Sequence, residues 1–199
     1  MAKLYFRYGA MNSGKTLDII KTHYNYEELG LNTVLMKPKL DTKGETKIVS
    51  RNGSILQVDY LIKQEDSIFD LVAGDLIRNN IKCIFVDEAQ FLTENQIDEL
   101  GMIVDKMNIT VMCYGLRTDF KTQLFGGSKR LLEIADEIEE LRTLCRCGEK
   151  AIFNTRKINH EFVFDGEQVA IDGKDEVTYV SLCRKCYLEE KEKVYTKKK

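Results

Sequence analysis

The hydrophobic residues in the first 140 positions follow two spacings, short continuous runs and the three- to four-residue repeat of an amphipathic helix. The continuous runs predict strands at residues 4–8, 33–36, 55–58, 82–86 and 109–114. The repeats predict helices that follow Thr16, begin near Ile68, follow Thr93 and begin near Ser128. Strands that alternate with helices in this way predict an α/β fold with a parallel sheet.

Short local signals set the ends of several predicted elements. Pro38, the only proline, stops the second strand. Thr93 and Gln96 have the spacing of a capping box, and Ser128 is a second candidate helix cap. Residues 39–51 are polar and contain a glycine, which predicts a mobile loop.

The pattern changes near residue 144, where close cysteine pairs, short β-like runs and scattered glycines replace the helical repeats. The β-like runs lie at residues 161–164 and 178–182. We therefore place a domain boundary there. The predicted units are residues 1–143, residues 144–192 and a disordered tail over residues 193–199.

Composition narrows the class of protein without changing this fold. The chain has 199 residues, of which 43% are hydrophobic and 31% charged, as in ordinary soluble globular proteins. A net charge of -2 disfavours binding of nucleic acid by a general basic field. The apolar start is too short for a secretory signal, and no apolar run approaches the eighteen or so residues of a membrane span. We expect a cytoplasmic protein with neither a membrane nor a nucleic acid as its partner.

The first predicted strand leads directly into a complete G-x-x-x-x-G-K-[ST] pattern at residues 9–16. Its members are Gly9, Ala10, Met11, Asn12, Ser13, Gly14, Lys15 and Thr16. The two glycines permit close backbone approach, so that successive N–H groups and the start of the next helix can point at one anion. Lys15 adds a cation and Thr16 a hydroxyl that can bind Mg²⁺. The pattern predicts a phosphate-binding loop.

Two acidic residues, Asp87 and Glu88, follow the buried strand at 82–86. In a parallel sheet they lie at the same edge as the phosphate-binding loop. Asp87 is either an ordinary strand-end carboxylate or the acid that holds the nucleotide's Mg²⁺, and the loop upstream favours the second role. Glu88 can take a proton from a hydroxyl or orient a water. Those two options separate a kinase from a hydrolase.

The six cysteines fall into two groups. Cys145 and Cys147 form one close pair and Cys183 and Cys186 another, which is the arrangement of a four-thiolate zinc ribbon. A closed shell of four sulfurs would make the zinc structural, and a segment this small needs such a staple. The other two, Cys83 and Cys113, lie in apolar strands and are expected in the core.

Taken together, these motifs closely resemble the cytosolic-type (type II) thymidine kinase family over essentially the whole chain. The resemblance is carried by residues 9–16, 87–91, 114–120 and 125–126, and by the cysteine pairs that flank Tyr179. It implies a RecA-like phosphate-loop domain with a parallel sheet, plus a small zinc-ribbon-like lasso domain. It also implies transfer of the γ-phosphoryl group of ATP to the 5′-hydroxyl of thymidine or deoxyuridine.

The resemblance implies roles for individual residues. Lys15 neutralises the β- and γ-phosphates, Thr16 and Asp87 hold Mg²⁺, and Glu88 is the proton acceptor. Arg51, in the polar loop, corresponds to a basic residue that reaches the phosphates, so the implied catalytic set is Glu88, Lys15 and Arg51. The residues implied to contact ATP are the loop at 9–16 together with Asp87, Glu88, Ala89 and Gln90.

The implied thymine site is an apolar slot with a polar edge. The slot residues are Met11, Phe91, Leu116, Phe120 and Phe125, with Tyr179 nearby. Backbone groups of Ile171, Asp172, Gly173 and Lys174 would read the hydrogen-bonding edge of the base. Some family members have C-x-x-C at the first cysteine pair and a histidine as the last ligand, whereas this chain has C-x-C and Cys186. By analogy we also expect a homotetramer and inhibition by thymidine triphosphate.

Two other classes explain part of the same sequence. In a RecA-type ATPase motor or switch, Glu88 would activate water, but a motor needs a polymer-binding surface, and no basic stripe is evident. A zinc-ribbon binding module that uses nucleotide as a switch explains the cysteines but leaves the aromatic loop from Phe120 to Phe125 without a role. The nature of the second substrate separates these alternatives from a kinase.

Overall fold

The computed structural model describes residues 1–40, 46–168 and 176–197, and the elements below are those of the described residues. The strands are β1 Leu4–Tyr8, β2 Thr33–Pro38, β3 Lys47–Val49, β4 Ile55–Gln57, β5 Tyr60–Ile62, β6 Cys83–Val86, β7 Thr110–Gly115, β8 Glu137–Glu140, β9 Thr143–Leu144, β10 Lys150–Ala151, β11 Phe153–Ile158, β12 Glu161–Val163 and β13 Val177–Leu182. The helices are α1 Lys15–Glu28, α2 Ile68–Arg78, α3 Glu94–Met107, α4 Gly126–Ile134 and α5 Arg184–Lys197. A 3₁₀ turn, Ala89–Phe91, lies between β6 and α3.

A six-stranded sheet organises the first part of the chain, with the strand order β5-β2-β6-β7-β1-β8. Every neighbouring pair in it is parallel. The predicted α/β fold with a parallel sheet is therefore confirmed. Since β1 and β6 are separated only by β7, the loops that follow their carboxyl ends share one edge of the sheet.

The sheet is covered on both faces, which is why its central strands are almost wholly apolar. On one face, α2, α3 and α4 contribute buried residues such as Val72, Leu100 and Leu131 to a cluster with β1, β2, β6 and β7. On the other face, Ile19 and Ile20 of α1 pack in a second cluster. All four residues of β6 are buried. None of the helices in the described ranges could span a lipid bilayer.

The capping box predicted at α3 is confirmed. The Thr93 hydroxyl accepts from the backbone N–H of Gln96 at 3.2 Å, and the Gln96 side chain accepts from the Thr93 N–H at 3.1 Å. The cap predicted at Ser128 is wrong. Helix α4 begins two residues earlier, at Gly126, and the buried Ser128 hydroxyl instead donates to the carbonyl of Leu116 at 2.5 Å. Ser128 therefore ties the helix to the preceding loop.

Six of the described strands lie where the sequence pattern did not predict them: β9, β10 and β11 in the cysteine-bearing part, and three in the first part of the chain. β3 lies within the predicted loop at 39–51 and pairs with β4 as an antiparallel hairpin; residues 41–45 of that loop lie outside the described residues. β5 and β8 form the two edges of the central sheet. β5 has three residues, and β8 is acidic and largely exposed, so neither has the continuous apolar run by which buried strands are recognised.

The cysteine-bearing part of the chain consists of a β9–β10 hairpin, an antiparallel sheet of order β12-β11-β13, and α5. Its apolar cluster is small and includes Leu182 and Tyr187 together with three of the cysteines. α5 continues through Lys197, so the structure differs from the disordered tail predicted over 193–199. Val194 packs against the cluster and Lys193 pairs with Glu190, which extends the helix; residues 198 and 199 lie outside the described residues.

Candidate active site and metal centre

The loop between β1 and α1 has the backbone of an anion cradle. Gly14 has a φ of 82° and Asn12 a φ of 69°, so two residues of the loop have a left-handed backbone conformation before the helix begins at Lys15. A Cβ on Gly9 would lie 2.5 Å from the backbone carbonyl oxygen of Leu141 and 2.3 Å from the Ser13 hydroxyl oxygen, so this position requires glycine. The helix has no side-chain cap. Its first N–H groups can therefore serve an anion, as they do in phosphate-binding loops.

Lys15 lies over this cradle. Its side chain is folded back along the loop, and Nζ donates to the backbone carbonyls of Gly9 and Ala10, both at 3.2 Å. The residue is only 8% exposed. A cation held against the backbone of this loop suits the phosphate chain of a nucleotide. The residues of the loop are thus suited to hold a phosphate group, as the sequence pattern predicts.

Asp87 and Glu88 follow β6 at the same sheet edge. Asp87 is 4% exposed, and its carboxylate accepts from the backbone N–H of Glu88 at 3.0 Å. Glu88 has a φ of 51°, a left-handed conformation that non-glycine residues seldom adopt and that is enriched at functional sites. A buried aspartate beside an unusually placed glutamate can supply one metal-binding and one proton-accepting oxygen group.

Gln90 links this acidic pair to the loop after β7. Its side-chain N–H donates to the Glu88 carboxylate, and its side-chain oxygen accepts from the Leu116 backbone N–H at 3.0 Å. Gln90 is itself 2% exposed, so both bonds are shielded from water. The glutamate carboxylate and the aromatic loop are therefore held in a fixed relation by one side chain.

Two of the predicted slot residues are in contact at this edge. The rings of Phe91 and Phe125 meet edge to face with centroids 5.5 Å apart. Phe120 and Phe125 are buried, and Leu116 and Met11 are half-buried. Partly exposed apolar side chains beside buried aromatic rings are the ordinary lining of a small-molecule site.

Met11 is held by the cysteine-bearing part of the chain. Its backbone N–H donates to the side-chain oxygen of Asn154 at 2.8 Å, and its carbonyl accepts from the Ser181 hydroxyl at 2.5 Å. The Asn154 amide also donates to the carbonyl of Thr118 at 3.2 Å. Sequence reasoning missed Asn154 and Ser181, because a lone polar residue in a short strand gives no signal of a distant backbone partner. The phosphate-binding loop and the aromatic loop thus share a support.

Three further parts of the predicted site have different outcomes. Arg51 is exposed in the turn between β3 and β4, and in the described ranges it has no hydrogen bond or ion pair with the loop at 9–16. Tyr179 lies in β13, where its hydroxyl accepts from Arg156 at 3.1 Å. The remaining residues, predicted to read the edge of the base, lie outside the described residues; they are Ile171, Asp172, Gly173 and Lys174.

The four predicted zinc ligands converge. The sulfurs of Cys145, Cys147, Cys183 and Cys186 all lie within 4.8 Å of one another. The sulfurs of Cys147 and Cys183 are 3.6 Å apart. Four thiolates at about 2.3 Å from one zinc ion stand about 3.8 Å from each other, so this cluster fits a tetrahedral zinc shell. Cys83 and Cys113 are buried in the central sheet, as expected.

The acid–base properties of the cluster agree with a metal site. Burial works against ionisation of Cys145, but backbone N–H groups of Cys147 and Cys183 and neighbouring thiols lower its pKa to about 7. Burial and hydrogen bonds to the other three thiols raise the pKa of Cys186 to about 12. Four adjacent thiols cannot all carry negative charge unless a cation compensates them. Burial also raises the pKa of Cys83 to about 12, against lowering by Tyr26 and Arg7, and this thiol has no cysteine of the cluster beside it, as expected of an inert core thiol.

These features define a class of protein. A parallel α/β sheet carries a glycine-lysine loop after β1, an acidic pair after β6 and an aromatic slot after β7, all at one edge. This arrangement is consistent with a phosphate-loop type of nucleotide-binding domain.

Comparison with known proteins identifies the family. The model of the family described as "Thymidine kinase" matches residues 2–187. A thymidine kinase of Pasteurella multocida is 47% identical over 191 residues, which cover 95% of this chain and 98% of the relative. A thymidine kinase of Mesorhizobium japonicum is 46% identical, with 96% of this chain and 93% of the relative covered. The chain belongs to the thymidine kinase family.

Proposed function

We propose that this protein is a nucleoside kinase that transfers the γ-phosphoryl group of ATP to the 5′-hydroxyl of thymidine or deoxyuridine. The observation that carries the proposal is the family match, which spans residues 2–187 and so includes the phosphate-binding loop, the acidic pair and all four clustered cysteines. The geometry supports it, because the anion cradle and the aromatic slot share one sheet edge.

In this proposal the central sheet region binds ATP. The nucleotide supplies the transferable phosphoryl group when bound, and the loop at 9–16 with Asp87, Glu88, Ala89 and Gln90 would hold it. Lys15 would neutralise the β- and γ-phosphates, while Thr16 and Asp87 would hold Mg²⁺. We keep Arg51 as a proposed further contact to the phosphates, on the family resemblance alone.

Glu88 would act as the general base. Its carboxylate would accept the proton of the 5′-hydroxyl while that oxygen forms a bond to the γ-phosphorus and the bond to the β–γ bridging oxygen breaks. The bond from Gln90 restricts where the carboxylate can point. Gln90 also fixes Leu116, a slot residue, so one side chain would align the proton acceptor with the bound nucleoside.

The thymine base would lie in the aromatic slot. Met11, Phe91, Leu116, Phe120 and Phe125 would form its walls, with Tyr179 beside them, and Ile171, Asp172, Gly173 and Lys174 would read the edge of the base. The two proposed domains, residues 1–143 and 144–192, would both contribute to this slot. Zinc bound by Cys145, Cys147, Cys183 and Cys186 would hold the second domain in place.

The test supplies labelled ATP, Mg²⁺ and each deoxynucleoside in turn. We expect label in thymidine monophosphate, less label in products of the purine deoxynucleosides, and no transfer by Lys15→Met. Label found only in free phosphate would contradict the proposal and favour the ATP-hydrolysing alternative. A homotetramer, inhibition by thymidine triphosphate and a cytoplasmic location remain proposals from the family resemblance; sedimentation, inhibition assays and fractionation test them.

A further inference from the structure

Arg156 in β11 is a buried arginine with unusual partners. It is 3% exposed, yet its described hydrogen bonds go to two backbone carbonyls and a phenol rather than to a carboxylate. Burying a guanidinium group is costly, so a folded protein that places one here must satisfy it with well-formed contacts. The contacts show what the side chain holds together.

The Arg156 side chain joins three separate parts of the molecule. Nε donates to the Tyr179 hydroxyl at 3.1 Å, and the two terminal nitrogens donate to the carbonyls of Glu167 and Gln168 at 2.8 and 2.9 Å. The guanidinium carbon lies 3.8 Å from the centroid of the Phe120 ring. A planar group can donate to several acceptors in its plane and stack on a ring at the same time, which a lysine ammonium cannot do.

The segment at 166–168 is tied to the aromatic loop by two further bonds. The Gln168 amide donates to the carboxylate of Asp119 at 3.2 Å, and the Lys121 ammonium donates to the carbonyl of Gly166 at 2.9 Å. Asp119 is 2% exposed and is itself fixed by the N–H groups of Lys121 and Gln123. Arg156 therefore lies at the centre of a rigid joint rather than at the end of a mobile side chain.

We infer that Arg156 is a positioning residue for the nucleoside. It sets the distance between Phe120 and Tyr179, two residues that the proposed function places at the thymine base, and so the inference rests on that function. Arg156 acts through these two rings and not on the reacting atoms. Its loss should therefore weaken nucleoside binding while it leaves the phosphate-binding loop unchanged.

The first test uses Arg156→Lys, which keeps the charge and removes the planar group. Hydrogen bonds to a charged donor are worth about tenfold or more in binding, so we expect the thymidine KM and the calorimetric Kd to rise at least tenfold. The ATP KM should stay within twofold and kcat should fall less than KM rises. The matched control is Arg184→Lys, because Arg184 is exposed and its guanidinium lies 5.7 Å from the Phe153 ring. This control should change neither the KM nor the Kd for thymidine.

The second test uses Tyr179→Phe, which removes only the hydroxyl that accepts from Arg156. We expect a smaller rise in the thymidine Kd, and in the double variant an effect less than the product of the two single effects, because the residues share one bond. An unchanged thymidine Kd in Arg156→Lys would overturn the inference. Equal rises in the KM values for thymidine and for ATP would overturn it as well. If Arg156→Lys does not fold, the Tyr179→Phe result decides. A wild-type protein that binds no thymidine would instead defeat the proposed function.

Discussion

The central-sheet region, residues 1–141, and the cysteine region, residues 143–197, are stabilised in different ways. The first has two apolar clusters of twenty-one and nine buried residues on opposite faces of a six-stranded sheet. The second has one cluster of seven, of which three are cysteines. A core of thirty residues can hold a fold by itself, whereas a core of seven needs a further staple. We therefore expect only the second region to depend on metal.

The two regions nevertheless meet at the candidate site. Asn154 and Ser181 hold both backbone groups of Met11, and the Tyr187 hydroxyl donates to the carbonyl of Phe120 at 2.9 Å. The cysteine region thus supports the phosphate-binding loop and the aromatic loop of the central-sheet region. A loss of zinc should therefore reach the active site without unfolding the central sheet.

The largest expected effect comes from removing one zinc ligand with Cys186→Ser. Structural zinc contributes about 10–16 kcal/mol of binding free energy in small zinc domains, far more than the small core here can replace. We expect loss of bound zinc by atomic absorption and at least a hundredfold loss of thymidine phosphorylation. Circular dichroism should retain most of the helical signal, since α1 to α4 belong to the central-sheet region.

The control for that experiment is Cys83→Ala, which removes a buried thiol from the central sheet. This variant should keep its zinc and lose only stability. Full thymidine binding by a zinc-free Cys186→Ser protein would contradict the comparison, because the cysteine region would then hold its shape without metal.

Glu88→Gln should slow phosphoryl transfer while the structure of both regions remains intact. An amide cannot accept the proton of the sugar hydroxyl, and a positioned general base contributes about 10²–10⁴-fold to rate. We expect kcat to fall by that factor, with nucleotide binding, zinc content and thermal midpoint unchanged. Glu94→Gln, an exposed glutamate at the start of α3, is the matched control. Unchanged turnover in Glu88→Gln would remove Glu88 from the proton-accepting role.

A smaller effect is expected from Asn154→Ala, which removes two hydrogen bonds between the regions. The change leaves the N–H of Met11 and the carbonyl of Thr118 without their partner. Each group left buried in this way should lower the free energy of unfolding by about 1–3 kcal/mol. We expect a lower thermal midpoint and higher KM values for both ATP and thymidine, with zinc still bound. The exposed Asn95→Ala should change none of these. A normal ATP KM in Asn154→Ala would show that the phosphate-binding loop keeps its shape without this support.

Much of the site could be predicted from the sequence because it is local in the chain. The loop at 9–16, the acidic pair at 87–88 and the cysteine pairs are contiguous or closely spaced, and backbone sterics or metal geometry restricts which residues can stand there. Asn154 and Arg156 could not be found in this way. Their partners lie at Met11, Thr118 and Phe120, and a polar residue in a short strand has many structural explanations.

The same division holds for the secondary-structure elements. Those determined by residues close together in the chain could be predicted, and those determined by distant contacts could not. The buried strands β6 and β7 were predicted from their apolar runs, and the α3 cap from two residues three positions apart. The edge strands β5 and β8 were missed because an edge strand gains its order from one neighbour rather than from burial on every side. α5 was not predicted, and it continues past the predicted domain boundary at 192, where Val194 packs against the small cluster through a tertiary contact rather than by local propensity.

The smallest expected effect is Thr93→Ala, which isolates the stability of the central-sheet region from its function. The change removes the hydroxyl that accepts from Gln96 and should cost about 1 kcal/mol in the free energy of unfolding. Ser67→Ala removes the comparable cap of α2, where the Ser67 hydroxyl accepts from the Asp70 N–H at 3.2 Å, and is the matched variant. Both variants should unfold at lower urea concentration while zinc content and both KM values stay unchanged. A loss of zinc in either would show that the two regions unfold as one unit, because a cap on the central sheet has no contact with the cysteines except through the cooperativity of the whole chain.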